Sequence, residues 1–307
     1  MISNQLFGVE VEMTGITREK AAALVGEILG KEPSRPDSTC YCTRTILDSA
    51  ARKWKIMRDS SINPVRNDDT CESSNEYRVE LVTPPLNYED IDLLQRIIRK
   101  LRENGAKTNN SCGIHIHVDG ANHSPDSLKR LVNFMIARQD LIYEALEIGE
   151  RERRWCRKIN VNILKEMKNH KELTKEITET IWYSSANDNY TGGIDHSHYN
   201  HTRYHGVNLH SFFSKGTVEF RLFNSTLHAG KIKAYIQFCL AVSAWAITSK
   251  EKVVFRSMDG YTPEQKVTIM RNILTNRLGL YGTEYKTCRL HLMTPLKKNA
   301  GMCCRVA

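Results

Sequence analysis

The chain has 307 residues, 40% of them hydrophobic and 26% charged, with a net charge of +9. Such a composition belongs to a water-soluble globular protein with length enough for a substantial core, and it excludes a low-complexity or fibrous chain. No apolar run reaches the roughly 18 residues that a membrane-spanning helix needs, and the opening MISNQLFGVEVEM lacks the basic flank and small-residue cleavage site of a signal peptide.

In chain order, residues 6–13 alternate apolar and polar side chains, the period of a strand. Thr17 is placed to cap a helix with Leu24, Val25, Ile28 and Leu29 on one stripe, ending near Gly30. A weaker strand follows at 53–58 and a clearer one at 77–82. Residues 88–104 carry Ile91, Leu94, Ile97, Ile98 and Leu101 at helical spacing, with Gly105 as the stop. A strand is expected at 113–119. Ser124-Pro125 then supplies a cap and a proline at the first helical position, for a helix running toward Gly149. The polar, aperiodic 184–202, with Gly192-Gly193, reads as a long mobile loop. Strands at 206–212 and 217–223 precede a largely buried helix at 229–248. A last helix opens at Thr262-Pro263-Glu264-Gln265, a capping-box spacing, and runs to about Leu278. Helices interspersed with well-separated strands indicate an α+β fold, one domain spanning 1–307, with a sheet covered on one face.

Five strand segments share a pattern. Glu10 and Glu12, Arg78 and Glu80, His115 and His117 with Asp119, Asn208 and His210, and Glu219 and Arg221 each stand at i, i+2 with apolar residues between. Any one of them is an ordinary half-exposed strand with its polar face in water. Together they put four glutamates on one sheet face, where like charges raise one another's pKa and a divalent cation removes the conflict. A carboxylate-rich set with one imidazole suits Mg²⁺ or Mn²⁺ better than zinc. Lys55, Arg203 and Arg221 can hold phosphate oxygens. Because no GxxxxGK[ST] or strand-linked GxGxxG is present, ATP would bind without a P-loop.

The segments FGVEVEM, RKWKIMRDSSI, VELVTPPL, CGIHIHVD, RYHGVNLHSFF and GTVEFRLFNSTLHAGKI stand in the order seen in the amidoligase family, which resembles glutamine synthetase and glutamate–cysteine ligase. The resemblance covers roughly 5–245. It implies a curved, mainly antiparallel sheet whose polar face binds Mg²⁺ and ATP, with helices on the other face. It also implies ATP-dependent joining of a carboxylate to an amine through an acyl phosphate. Carried over by position, Glu10, Glu12, Glu80, His115 and Glu219 are the expected metal ligands. Lys55, His117, Asn208 and Arg221 are expected to hold the nucleotide, and Arg221, Arg203 and Asp59 to serve catalysis. The amine's proton would go to Asp59 or Asp119, and the 184–202 loop would close as a lid. The chain departs from the family at Asp59-Ser60-Ser61, where DGS is frequent, and in RYHGVN before Asn208.

Two other readings compete. A zinc hydrolase of the amidohydrolase type would use the His115/His117 pair, but a barrel needs about eight strand–helix units and too few are present. A nucleic-acid-binding protein would use the net charge and the basic run RERRWCRK (151–158), yet no recognition motif accompanies them. That run is expected to be a solvated helix face. Likewise His196, His198, His201 and His205 are expected to be solvent-facing rather than a second metal site. Nine cysteines without paired CxxC spacing indicate free thiols and a reducing cytoplasm. The expected substrates are a carboxylate-bearing and an amine-bearing small molecule, peptide or protein, with no membrane partner.

Overall fold

The computed structural model describes residues 2–66, 74–185, 193–251 and 258–303. Seven strands follow the hydrogen-bonded order β2-β3-β4-β1-β5-β7-β6. They are β1 (Phe7–Met13), β2 (Arg44–Leu47), β3 (Lys53–Met57), β4 (Val79–Val82), β5 (Gly113–Asp119), β6 (Val207–Asn208) and β7 (Thr217–Asn224). The ladders β2–β3, β3–β4, β1–β4 and β6–β7 are antiparallel. The fold is α+β, as the sequence indicates. The chain forms two compact units, one of residues 3–116 and 223–236, the other of 1–2, 117–222 and 237–307.

In the first unit, α1 (Arg18–Leu29) packs on α2 (Ile91–Glu103) and on β2 and β3. Thr17 caps α1 by accepting from Lys20 N, and Gly30 ends it in the left-handed conformation, φ 68°. The apolar side of the sheet is formed by Val9, Val11, Met13, Trp54, Ile56, Val79 and Leu81, each at most 1% exposed. These residues alternate with Glu10, Glu12, Lys55 and Glu80, so burying the first set fixes where the second set points. Trp54 donates its indole N–H to Asp48, whose carboxylate also accepts from Arg52 at 2.8 Å. Burial alone would raise the Asp48 pKa, but these hydrogen bonds outweigh it and the net shift is downward.

The second unit is mainly helical: α3 (Pro125–Ile136), α4 (Gln139–Ala145), α5 (Arg151–Arg154), α6 (Asn162–Asn169), α7 (Lys175–Ser185) and α8 (His210–Lys215) come before the last three helices among the described residues. Those are α9 (Ala229–Thr248), whose first turns belong to the first unit, α10 (Pro263–Asn272) and α11 (Lys286–Asn299). The single helix expected from Ser124 to Gly149 is two, α3 and α4, separated at Ala137-Arg138. The strand expected at 206–212 stops at Asn208, and residues 210–215 wind into α8, closed by Gly216 at φ 78°. His210 therefore leaves the strand's alternation. The last expected helix is borne out to Asn272 and continues as a π-helical turn, Ile273–Arg277. Of the loop expected at 184–202, residues 184–185 end α7, 186–192 lie outside the described residues, and 193–200 are held by Asp195, which accepts from Ser197 N and Asn200 Nδ2. The seven described cysteines are free, whereas Cys71 and Cys304 lie outside the described residues. No helix among the described residues is long and apolar enough to cross a membrane.

His123 ties α3 to α9 within this unit. Its Nδ1 is 2.9 Å from Ser127 Oγ and its Nε2 is 2.9 Å from Ser243 Oγ. Ser127 uses its hydroxyl proton on Ser124 O, so His123 Nδ1–H donates to Ser127 and Nε2 accepts from Ser243. Burial, reinforced by the charge of Arg130, lowers the imidazole from 6.5 to about 4, against a small opposing pull from Asp119. The folded protein therefore binds fewer protons here than the unfolded chain between those values. Stability from this group is complete above pH 6.5 and is lost as pH falls toward 4, by up to about 3 kcal/mol. Thermal melts from pH 7.5 to 4 should show His123→Gln less stable at neutral pH but with a shallower acid decline than wild type. Parallel curves would contradict this account.

Candidate functional site

In the first unit, the β1–β4 register sets Glu12 opposite Glu80 and Glu10 opposite Val82. Glu12, Glu80 and His115 are 4%, 7% and 5% exposed. Glu12 Oε2 accepts the Gly113 N–H at 2.6 Å, and the Glu12 carbonyl accepts from Ser225 Oγ at 2.6 Å, so this residue is fixed at both ends. His115 Nδ1 lies 2.7 Å from Glu10 Oε2 and its Nε2 lies 3.7 Å from Glu12 Oε1. With Nδ1–H donated to Glu10, the lone pair of Nε2 is turned to the Glu12 side, as a metal-binding imidazole oriented by a carboxylate requires.

Glu12, Glu80 and His115 each offer a ligand atom, all within 4.8 Å of one another. Two carboxylates at that spacing repel by about 3 kcal/mol at an effective dielectric constant of 20, and both are largely stripped of water. Two hard oxygens and one nitrogen fit a divalent cation of the Mg²⁺ or Mn²⁺ kind, with water completing the shell. Lys55 shares this face: it pairs with Val82, which pairs with Glu10, and it is exposed. Asp59 is turned to a local task, since its Oδ1 accepts from Ser61 N at 2.6 Å and closes the turn after β3.

In the second unit, β6 and β7 set Asn208 opposite Glu219. Asn208 Nδ2 donates to Glu219 Oε2 at 2.6 Å, and Arg221 Nη1 donates to Glu219 Oε1 at 2.7 Å. Glu219 and Arg221 side chains are each 5% exposed, so this is a buried charge pair with a neutral third partner. His117 Nε2 approaches Glu219 at 3.8 Å, while its Nδ1 faces Thr217 Oγ1 at 2.9 Å. Arg221 also lies over the Tyr204 ring, at 5.8 Å. Gly206, in the RYHGVN segment, lies against Tyr143, whose hydroxyl a Cβ there would overlap.

A cleft of about 170 Å³ opens beside this pair, with Arg203, Asn208, His210, Lys215 and Glu219 among its lining residues. Arg203 is fixed through Nη1 to the His198 carbonyl at 2.6 Å and lies 5.8 Å from the Tyr199 ring and 5.6 Å from the Tyr204 ring. Sequence reasoning missed Tyr183 and gave His210 no role. Tyr183 OH lies 2.7 Å from His210 Nδ1. Burial, then the charge of Arg203, lowers His210 to about 4, while burial raises Tyr183. The phenol is thus protonated and donates to Nδ1, leaving a neutral imidazole with its proton on Nε2. The i, i+27 spacing of Tyr183 and His210, in two separate helices, gives no local signal in the sequence.

Of the four loop histidines expected to face solvent, His196, His198 and His201 are exposed, and His196 bonds Glu179 at 2.5 Å; His205 is instead buried, with Nδ1 donating to the Thr202 carbonyl.

The model of a family described as "putative amidoligase enzyme" matches residues 3–243. The chain belongs to that family, and an amide-forming ligase is the activity its membership indicates. No curated protein matches the chain.

A cation at Glu12, Glu80 and His115 should raise the melting temperature by several degrees at saturating Mn²⁺. In chelator, Glu80→Gln should melt no lower than wild type, since it removes the repulsion, and it should lose the Mn²⁺ effect. An equal Mn²⁺ shift in both proteins, or none in wild type, would contradict the assignment.

Proposed function

We propose that the protein is an ATP- and Mg²⁺-dependent carboxylate–amine ligase. The observation that carries this reading is the buried Glu12–Glu80–His115 donor set in a chain of the amidoligase family. One imidazole against two carboxylates favours Mg²⁺ or Mn²⁺ over the zinc of a hydrolase. When bound, the cation would neutralise charge on the transferring phosphoryl group.

Glu12, Glu80 and His115 hold the cation in this reading, with Glu219 as the further ligand that the family resemblance implies. Glu10 acts at least by orienting His115, to which it is bonded. Lys55, His117 and Asn208 are assigned to the nucleotide, with Lys55 free to move as an exposed side chain. Arg203 is the guanidinium that lines the cleft and supplies a fixed donor for an oxyanion. Arg221 is already bonded to Glu219, so its part is to set that carboxylate's position as well as to contribute positive charge. The γ-phosphoryl passes to the substrate carboxylate with departure of ADP; an amine then attacks the acyl carbon and phosphate leaves. The attacking amine must be neutral. Its proton goes to a carboxylate, Asp59 or Asp119, because His210 Nδ1 already accepts from Tyr183 and burial makes that imidazole a weak base.

ADP release, measured against a panel of amino acids and short peptides supplied as carboxylate and amine donors, tests the roles. Glu80→Gln should lower it at least about 100-fold and Glu10→Gln by about 10- to 100-fold, the range for an orienting partner. Glu219→Gln is the less clean variant, since it strips a buried arginine of its carboxylate at a cost of about 3–5 kcal/mol in stability. Circular dichroism should show Glu10→Gln folded. Undiminished ADP release from Glu80→Gln would refute the proposed site.

A further inference from the structure

Within the basic run, Arg153 and Arg154 are exposed, as expected of a solvated helix face, but the run also borders a concavity. Arg153, Arg154, Trp155 and Arg157 line a pocket of about 370 Å³ together with His201 and Tyr204. The pocket is held from behind. Arg157 N donates to the Tyr204 carbonyl at 2.9 Å, Gly206 N donates to the Arg157 carbonyl at 2.9 Å, and the Tyr143 hydroxyl donates to the Cys156 carbonyl at 2.7 Å. Arg157 Nη2 donates to the His201 carbonyl at 3.1 Å. Its Nε is buried and makes no hydrogen bond. Among the described residues no carboxylate pairs with Arg153, Arg154 or Arg157, while the neighbouring Glu152 is taken by Lys158 at 3.2 Å. Three guanidinium groups thus share one concavity without a counter-charge, an arrangement whose repulsion a bound anion relieves.

We propose that this pocket binds the acidic side chains of a peptide. Guanidinium forks match carboxylates in two-point contacts. The aromatic groups do not offer a platform for nucleobases: Arg154 already lies over Trp155 at 4.6 Å, and Tyr204 meets Trp155 edge-on at 5.8 Å. A volume of about 370 Å³ is at the small end of ligand pockets, room for one or two side chains rather than a strand of nucleic acid. The turn at 201–204 gives His201 and Tyr204 to this pocket and Arg203 to the cleft beside Glu219. A peptide with its reacting group in the cleft can therefore place an acidic residue here. This role as a substrate anchor rests on the ligase reading; the binding itself does not.

The test is fluorescence anisotropy with a labelled hexaglutamate peptide and no nucleotide, so that its outcome is independent of ligase activity. Arg153 and Arg154 are exposed, and replacing both by Gln leaves the core untouched. R153Q/R154Q should weaken binding about tenfold or more. K165Q/K168Q removes the same charge from exposed positions outside the pocket and should leave binding unchanged. An equal loss in both variants would reduce the effect to net charge and overturn the proposal. So would the absence of peptide binding in wild type, or displacement of the peptide by an oligonucleotide at lower concentration than by unlabelled hexaglutamate.

Discussion

Two glutamates, Glu12 and Glu80, face each other across an antiparallel ladder with almost no water around either. Left alone they repel, and a chain that folds this way must place them against its own interest. The compensation comes from the other side of the same strands. Val9, Val11, Met13, Val79 and Leu81 are buried, each worth about 1.5–3 kcal/mol for a large aliphatic side chain, and their burial dictates the register. A one-residue slip would turn every apolar residue of β1 to the polar face. The hydrophobic face therefore holds the carboxylates together, and Gly113 N–H, Ser225 Oγ and the Glu10–His115 pair refine their positions.

The second unit solves a related problem by different means. Glu219 is as deeply buried as Glu12, but Arg221 and Asn208 bond it from two sides. This carboxylate is held in place by a guanidinium two residues away on the same strand and by a side-chain amide. The Tyr183–His210 pair nearby is neutral near pH 7. Fixed charge, fixed dipoles and an open cleft occur together in this unit.

Much of this was legible beforehand, for identifiable reasons. The strands 113–119 and 217–222 alternate strictly, over seven and six residues, and the period survives folding because both faces have work to do. Caps were legible at Thr17, Ser124 and Thr262, where a side-chain oxygen precedes a helical stripe and accepts a backbone N–H in the structure. His210 was misplaced because alternation through Val207 and Leu209 mimics a strand, whereas Gly216 six residues later terminates a short helix. The concavity beside the basic run 151–158 is not legible in the sequence, because charge density alone does not distinguish a convex face from a concave one; that depends on Tyr204 and His201, some 45 residues away. β2 escaped notice because RTIL is too short to show a period.

Calorimetric titration with a non-hydrolysable ATP analogue, with and without Mg²⁺, addresses the central claim most directly. The account predicts binding that requires Mg²⁺ and that Glu12→Gln abolishes in a protein that remains folded. Absence of analogue binding under any divalent cation, with zinc held tightly instead, would contradict it and return the His115/His117 strand to a hydrolytic reading.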